Sequence, residues 1–300
     1  MKKLGVDLGG TKIEVAVMDD QANILIRERV PTPQGDYAGT VEAIASLIEQ
    51  VERQLGETCS IGIGTPGAIS LATGLIKNAN SVVLNNRPLK QDIERRLGRE
   101  VRMANDANCF TLSEAVDGAA RGAKSVFGVI IGTGVGGGII VNGHLLSGPN
   151  AIAGEWGHNP LPWMTPDEYP GHTCWCGLNG CIETWLSGPG FERDYQQHSG
   201  LDRKAPEIVK AAREGDAHAQ AALRRYENRL ARALAHIINI LDPEVIVLGG
   251  GMSNVESLYE NVPKLWEQWI FSDRLDTTRL VAPMHGDSSG VRGAAWLWNE

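Results

Sequence analysis

Three of the five cysteines stand at Cys174, Cys176 and Cys181 of the stretch CWCGLNGCIE, which Glu183 closes. Together with the imidazole of His158 they offer three sulfurs and one nitrogen, the closed donor set of a structural zinc site. His172 is a competing imidazole in the same region. The spacing C-x-C-x4-C is not the usual zinc-finger C-x2-C, and a redox pair would need C-x-x-C beside a thioredoxin-like unit, which is absent. Cys59 and Cys109 stand alone in the sequence and read as small buried side chains.

A second group of residues could handle phosphate. Gly9-Gly10-Thr11, Gly132-Thr133-Gly134 and Gly249-Gly250-Gly251 each follow an apolar run. Glycine lets backbone N–H groups approach an anion without side-chain obstruction. None of the three fits G-x-x-x-x-G-K-[ST], and none opens a helix as G-x-G-x-x-G, so a P-loop and a dinucleotide fold are both disfavoured. Asp7 lies just before the first turn. Asn105 and Asp106 stand where an apolar strand passes into a helix, a place that suits either an N-cap or a general base. Glu155 and His158, three residues apart in AGEWGHNPLP, and the polar turns GTPGAIS and KNANS complete the candidates.

Positioning these groups requires alternating strands and helices. The first thirty residues read as three short antiparallel strands around the Gly9-Gly10 turn. A helix over about 36–55, the strand CSIGIG, a helix over about 88–97, the strand EVRMAND and a third helix after Asp106 follow. Residues 125–142 restate the opening, with an apolar strand, a glycine turn and a returning strand, and NGHLLSG can supply a third. Leu223, Tyr226, Leu230, Leu234, Ile237 and Leu241 repeat at helical spacing over about 216–241, with Asp216 as N-cap and Pro243 as the stop. EVIVLGGGM is then a buried strand, and VRGAAWLW a closing helix. Such internal repetition implies two similar lobes around a cleft.

Composition limits the classes open to the chain. Its 300 residues carry 36 acidic and 28 basic side chains, a net charge of -8 that opposes a nucleic-acid partner. No apolar stretch reaches the roughly 18 residues of a membrane helix, and no signal-peptide core precedes the glycines. A cytoplasmic enzyme is expected, and an odd cysteine count argues against a disulfide framework.

GVDLGGTKIEVAVMD, IGTGVGGG, VIVLGGGMSN and the series G-H … C-x-C-G-x-x-G-C-x-E from Gly157 to Glu183 resemble the ROK sugar kinases. That resemblance implies an α/β, actin-like and hexokinase-like (ribonuclease H-like) ATPase fold. It places an N-terminal lobe at 1–118, a C-terminal lobe with a zinc loop at 119–286, and a last helix at about 287–300 packing back on the first. It implies magnesium near Asp7, ATP phosphates at Gly10, Thr11, Lys12, Gly132, Thr133 and Gly134, and adenosine beside Gly250, Gly251 and Asn254. Asp106 becomes the general base; Gly67, Asn80, Asn105, Asp106, Glu155, His158 and Glu183 become the sugar-binding set. Zinc is held by His158, Cys174, Cys176 and Cys181, where it fixes Glu183 and one nitrogen of His158.

KNANS, NDANC, GEWGHNPLPW and HGDSSGVRGAAWLW resemble the fructokinases of the family most, so D-fructose phosphorylated by ATP at its 6-hydroxyl is the first expectation. Glucose, mannose or an N-acetylated hexosamine is the alternative on the same chemistry. A homodimer is a further implication of the resemblance. Two rivals are weaker. A ROK repressor would need a helix-turn-helix segment ahead of a glycine turn that already follows residue 7, and a zinc hydrolase would need an open metal position, which four such ligands close.

Overall fold

The computed structural model describes residues 2–273 and 277–299. Its first half runs β1 (Lys3–Leu8), β2 (Lys12–Met18), β3 (Ile24–Pro31), α1 (Tyr37–Leu55), β4 (Ser60–Thr65), a small hairpin of β5 (Ala68–Ile69) and β6 (Ile76–Lys77), α2 (Leu89–Leu97), β7 (Arg102–Asn105) and α3 (Asp106–Val116). The second half runs β8 (Ser125–Ile131), β9 (Val135–Val141), β10 (His144–Leu145), α4 (Ile182–Leu186), α5 (Gly188–Ser199), α6 (Ala205–Arg213), α7 (Ala217–Leu241), β11 (Val245–Gly249), α8 (Ser257–Trp266), β12 (Arg279–Val281) and α9 (Ser289–Trp296).

Two five-stranded sheets have the same plan, β3-β2-β1-β4-β7 and β10-β9-β8-β11-β12. In the first, β1 pairs antiparallel with β2 and parallel with β4, and β4 pairs parallel with β7. In the second, β8 and β12 both pair parallel with β11. The repetition read from the glycine turns is therefore a repetition of topology.

Local chemistry explains the boundaries. Asp36 caps α1 by accepting from the Gly39 N–H, and Gly56 ends it in the left-handed conformation. Asp216 caps α7 in the same way through Ala219. Helices α4, α5, α6 and α8 and strand β12 were not anticipated; α4 and α6 are only five and nine residues long, too short to show a clear period.

The described chain forms two units, Met1–Gly122 with Gly138–Ala153 and Met284–Glu300, and Ala123–Gly137 with Gly154–Pro283. The first unit takes in residues 119–122 and 284–286 beyond the expected boundaries, and residues 138–153 join it as well. Gly138 has no side chain, and a Cβ there would lie 2.4 Å from Thr111 Oγ1 and 2.8 Å from the Ala107 carbonyl on α3. Lys77 Nζ also donates to the Asn150 carbonyl at 2.7 Å. Glu300, the last residue of the expected closing helix, is outside the described residues.

One face of the first sheet buries Leu4, Val6, Val15, Ile61 and Ile63 in a core with Ile44, Ile48 and Val51 of α1. α9 also packs on this sheet, and it approaches the strands backbone to backbone. A Cβ on Gly5 would lie 1.9 Å from the Val291 carbonyl oxygen, and one on Gly62 would lie 1.8 Å from that of Ala294. Only glycine permits this contact. Gly62→Ala must therefore push α9 off β4, and a loss of about 3 kcal/mol or more is expected, the upper range for overpacking. Urea unfolding of the variant beside wild type checks it; an unchanged midpoint would mean that α9 tolerates the displacement.

Candidate active site

In the first unit, Asp7 is at the end of β1 and the turn Gly9-Gly10-Thr11 leads into β2. Gly9 N–H donates to the Lys12 carbonyl at 2.9 Å, and Thr32 Oγ1 donates to the Gly9 carbonyl at 2.8 Å, so β3 braces the turn. Gly10, Thr11 and Lys12 are exposed. Gly290, at the start of α9, makes room for the Asp7 carboxylate, since a Cβ there would lie 2.9 Å from Asp7 Oδ2. Burial pushes the Asp7 carboxyl up to about 6, and the negative charges of Asp106 and Glu14 add to the shift. Proximity to Asp106 is the informative part: two carboxylates of the predicted site feel each other's charge. Oxygen donors in this arrangement suit a hard divalent ion such as magnesium, whose charge would favour ionised Asp7.

Sequence reasoning missed Glu14. Its side chain is only 1% exposed, and Arg27 Nε and Arg29 Nε bind its two oxygens at 2.5 and 2.6 Å. Burial opposes the charge, but hydrogen bonds from Arg29 and Arg27 outweigh it and hold the carboxyl below its usual range. Lys12 Nζ is 3.7 Å away. A lone Glu in the apolar run KIEVAV was the available signal.

Asn105 settles which residue caps α3. Its Oδ1 accepts from Ala107 N–H at 2.8 Å and Asn108 N–H at 3.3 Å, and its Nδ2 donates to the Gly67 carbonyl at 3.2 Å. With the cap supplied by Asn105, Asp106 is the first helical residue, exposed, with Oδ1 2.7 Å from the Ala107 N–H. Gly67 has φ of 74°, and a Cβ there would lie 2.4 Å from the Lys77 carbonyl and 2.7 Å from Ala79 N. Asn85 grips Ala79 through two 2.9 Å bonds, which fixes the backbone beside the exposed Asn80. Gly67, Asn80 and Asn105 are thus tied into one group. Asn80 also lines a cavity of about 530 Å³ with the first glycine turn and residues Thr32 to Gly35.

In the second unit, Gly132 N–H bonds the Gly134 carbonyl at 2.9 Å, and the Gly132 carbonyl accepts from Gly188 N–H at 2.8 Å; Thr133 is exposed. Gly250 and Gly251 follow β11, and Asn254 Nδ2 donates to the Gly251 carbonyl at 3.1 Å. Glu155 precedes a single 3-10 turn, Trp156–His158. Glu155 is its N-cap, and the His158 N–H donates to the Glu155 carbonyl at 3.3 Å. Trp156 anchors it by donating to the Gly136 carbonyl at 2.9 Å.

His158, Cys174, Cys176 and Cys181 come together with their donor atoms all within 4.8 Å. His158 Nδ1 is 3.6 Å from Cys174 Sγ, and the sulfurs of Cys176 and Cys181 are 3.6 Å apart. Two thiolates bound about 2.3 Å from one tetrahedral zinc ion would be about 3.8 Å apart, so the set fits that metal. Burial raises the Cys174 thiol and pushes Cys181 up to about 12, whereas the Leu178 N–H lowers exposed Cys176. A divalent cation would reverse the first two shifts. His172 lies instead against Trp185, ring centroids 5.0 Å apart. Cys59 and Cys109 are buried and stand apart from the cluster.

Glu183 lies in the first turn of α4, and its Oε2 accepts from Val135 N–H at 2.9 Å. A second missed feature is a buried ion lattice. Glu168 Oε1 meets Arg229 at 2.8 Å and Arg232 at 2.7 Å, and Arg229 also meets Asp194 at 2.7 Å. Arg232 further donates to the Trp163 carbonyl at 2.7 Å, which fixes the segment between His158 and the cysteines.

No helix among the described residues is long and apolar enough to cross a membrane. The sequence model of the ROK family matches residues 3–300. N-acetyl-D-glucosamine kinase of Photobacterium profundum is 43% identical over 297 residues, 98% of each chain. Among solved structures, the ROK hexokinase from Thermus thermophilus superposes with a TM-score of 0.87 at 32% identity, covering 98% of this chain and 97% of its own. A ROK family glucokinase from Streptomyces griseus, in complex with glucose and AMPPNP, gives 0.80 at 30% identity over 99% of both chains.

The donor set leads to a metal prediction. Purified protein is expected to carry about one zinc per chain by elemental analysis, as one four-ligand tetrahedron requires. Cys176→Ser should lower that content, whereas Cys59→Ser, outside the cluster, should not. Structural zinc contributes about 10–16 kcal/mol in peptides that lack another core. Here a separate core exists, so metal loss should loosen residues 155–183 in hydrogen exchange without global unfolding. Metal-free wild type with this region fully protected would reduce the cysteines to packing.

Proposed function

The chain belongs to the ROK family, and from that premise we propose that it is an ATP-dependent hexose kinase acting on N-acetyl-D-glucosamine. The observation that carries the chemistry is the division of labour at the start of α3. Asn105 caps α3 through the Ala107 and Asn108 N–H groups, while Asp106, which shares the Ala107 N–H at 2.7 Å, presents an exposed carboxylate whose charge reaches Asp7. Phosphoryl transfer to an alcohol needs little covalent help from the protein beyond positioning, charge stabilisation and acceptance of the hydroxyl proton. Asp106 takes that proton from the 6-hydroxyl. Gly10, Thr11, Lys12, Gly132, Thr133 and Gly134 offer backbone and cationic donors to the phosphates, and Gly250, Gly251 and Asn254 flank the nucleoside. Magnesium, held on the Asp7 side, would neutralise the phosphate charge. Gly67, Asn80, Asn105, Glu155, His158 and Glu183 orient the sugar; the zinc ligands organise the loop that carries two of them.

Fructose, the first expectation from the motifs, gives way to the alternative. The relative that is 43% identical over nearly the whole chain carries the name N-acetyl-D-glucosamine kinase. The physical reason for the difference is plain. The motif side chains suit hydroxyls that many hexoses share, so they do not by themselves separate fructose from an N-acetylated hexosamine.

A panel of N-acetyl-D-glucosamine, glucose, mannose and fructose with ATP and magnesium, followed by ADP release, tests the substrate. N-acetyl-D-glucosamine should give the highest kcat/KM, because a site built for a polar group rejects the analogue lacking it. A clear preference for fructose would restore the motif-based reading and leave phosphoryl transfer intact. Asp106→Asn keeps the side-chain size but loses the base, so turnover should fall about 10²–10⁴-fold. Near-normal turnover in the folded variant would remove Asp106 from the mechanism.

A further inference from the structure

Trp175 lies between two predicted metal ligands, and it is 69% exposed. So large an exposed indole inside a tightly turned loop calls for a reason. Its Nε1–H donates to Glu183 Oε1 at 2.7 Å. The ring meets the His158 imidazole edge to face, with centroids 4.9 Å apart and planes at 89°. Glu183 uses its other oxygen, Oε2, to accept from Val135 N–H, directly after the second glycine turn. Gly134 keeps this path open, since a Cβ there would lie 2.7 Å from Glu183 Oε2. One carboxylate is therefore held from both sides, by an indole on the cysteine loop and by a backbone amide on β9.

We propose that Trp175 is a positioning residue for the hexose: it fixes the Glu183 carboxylate and the His158 ring before the sugar arrives. This rests on the hexose kinase reading and adds a residue to it. A glutamate has several rotatable bonds, and a free one would lose that freedom on binding. Glu183 bonded at both oxygens has already lost it, and the lone pairs that remain point in set directions for sugar hydroxyls. The His158 contact acts in the same sense. Its Nδ1 faces Cys174 Sγ, and the indole edge limits rotation of the ring.

Trp175→Phe is the informative variant, because it keeps an aromatic ring against His158 and deletes only the N–H donor. KM for the preferred hexose should rise about 3–10-fold while kcat and KM for ATP change less than about twofold, the pattern of lost pre-organised binding. Zinc content should not change. The same substitution in a Glu183→Ala background should add less than about twofold, since residues acting as one unit are not additive. A spectroscopic readout is independent of turnover. The Trp175 indole N–H resonance in a ¹⁵N spectrum, assigned by its loss in Trp175→Phe, should shift in Glu183→Ala.

An active wild type with unchanged hexose KM in Trp175→Phe overturns the proposal. So do equal losses of sugar and ATP affinity accompanied by loss of zinc, which would assign Trp175 to the metal loop alone. If wild type phosphorylates no hexose, the kinase reading fails first; an indole resonance insensitive to Glu183→Ala would then show that the bridge itself is absent.

Discussion

Close contact between glycines and α9 underlies the first unit. β1 carries Asp7 beside its last residue, β4 leads to Gly67, and α3 begins with Asp106, so these three elements must keep fixed relative positions for the proposed carboxylates to act together. α9 touches all three without side chains intervening on the partner. Gly5 and Gly62 present bare backbone to it, and Gly293 of α9 itself faces the Cys109 carbonyl of α3, where a Cβ would lie only 1.6 Å away. Backbone packed on backbone leaves few side-chain rotamers to adjust, so the arrangement has little play. Glu114, fully buried on α3, adds direction: it accepts from the backbone N–H groups of Met284 and His285 and from Ser289 Oγ. The C-terminal segment is thereby registered to the helix that carries the proposed base.

The second unit faces the opposite difficulty. Ahead of α4 the chain runs through residues 154–181 with little regular structure beyond one 3-10 turn and two isolated bridges, Pro160 with Cys181 and Thr173 with Asn179. Such a segment cannot satisfy its own backbone groups as a helix would, and it must be fastened from outside. Three devices do this. The His158 and cysteine cluster gathers its two ends, the Trp175–Glu183–Val135 bridge ties it to β9, and Arg232 holds the carbonyls of Pro162 and Trp163. A metal in the cluster would strengthen the first of these and leave the other two in place.

Much of this was legible in the sequence because the signals were local. A glycine turn between apolar runs, Asp before a helix and Gly after one are short-range features, and the helices at Tyr37–Leu55, Leu89–Leu97 and Ala217–Leu241 fall where periodicity placed them. The four metal candidates were legible through their donor types and through the family pattern from Gly157 to Glu183, since C-x-C-x4-C is not the usual zinc spacing. What stayed hidden was pairing across long separations. Glu14 reads as a stray charge in a strand until Arg27 and Arg29 are seen beside it. Trp175 reads as filler between cysteines. The proposed sugar was hidden differently, because the polar side chains of the proposed site suit the hydroxyls of several hexoses.

Arginines on α7 show how far pattern reading can mislead. Arg225, Arg229 and Arg232 follow one another at three and four residues, as an exposed charged stripe would. Yet Arg229 and Arg232 are 5% and 2% exposed, and their partners Asp194 and Glu168 lie 35 and 64 residues away in the chain. Burying these charges is costly unless every one is matched, and well-packed apolar residues could give equal or greater stability. Specificity is the better explanation. Burial alone would raise the Glu168 carboxyl, but hydrogen bonds from Arg232 and Arg229 outweigh it and lower the group to about 2. An apolar contact could slide by a methylene, whereas this carboxylate has one position that satisfies both guanidinium groups. Glu168 lies between His158 and Cys174 in the chain, so α7 sets the place of the loop from which both proposed ligands extend.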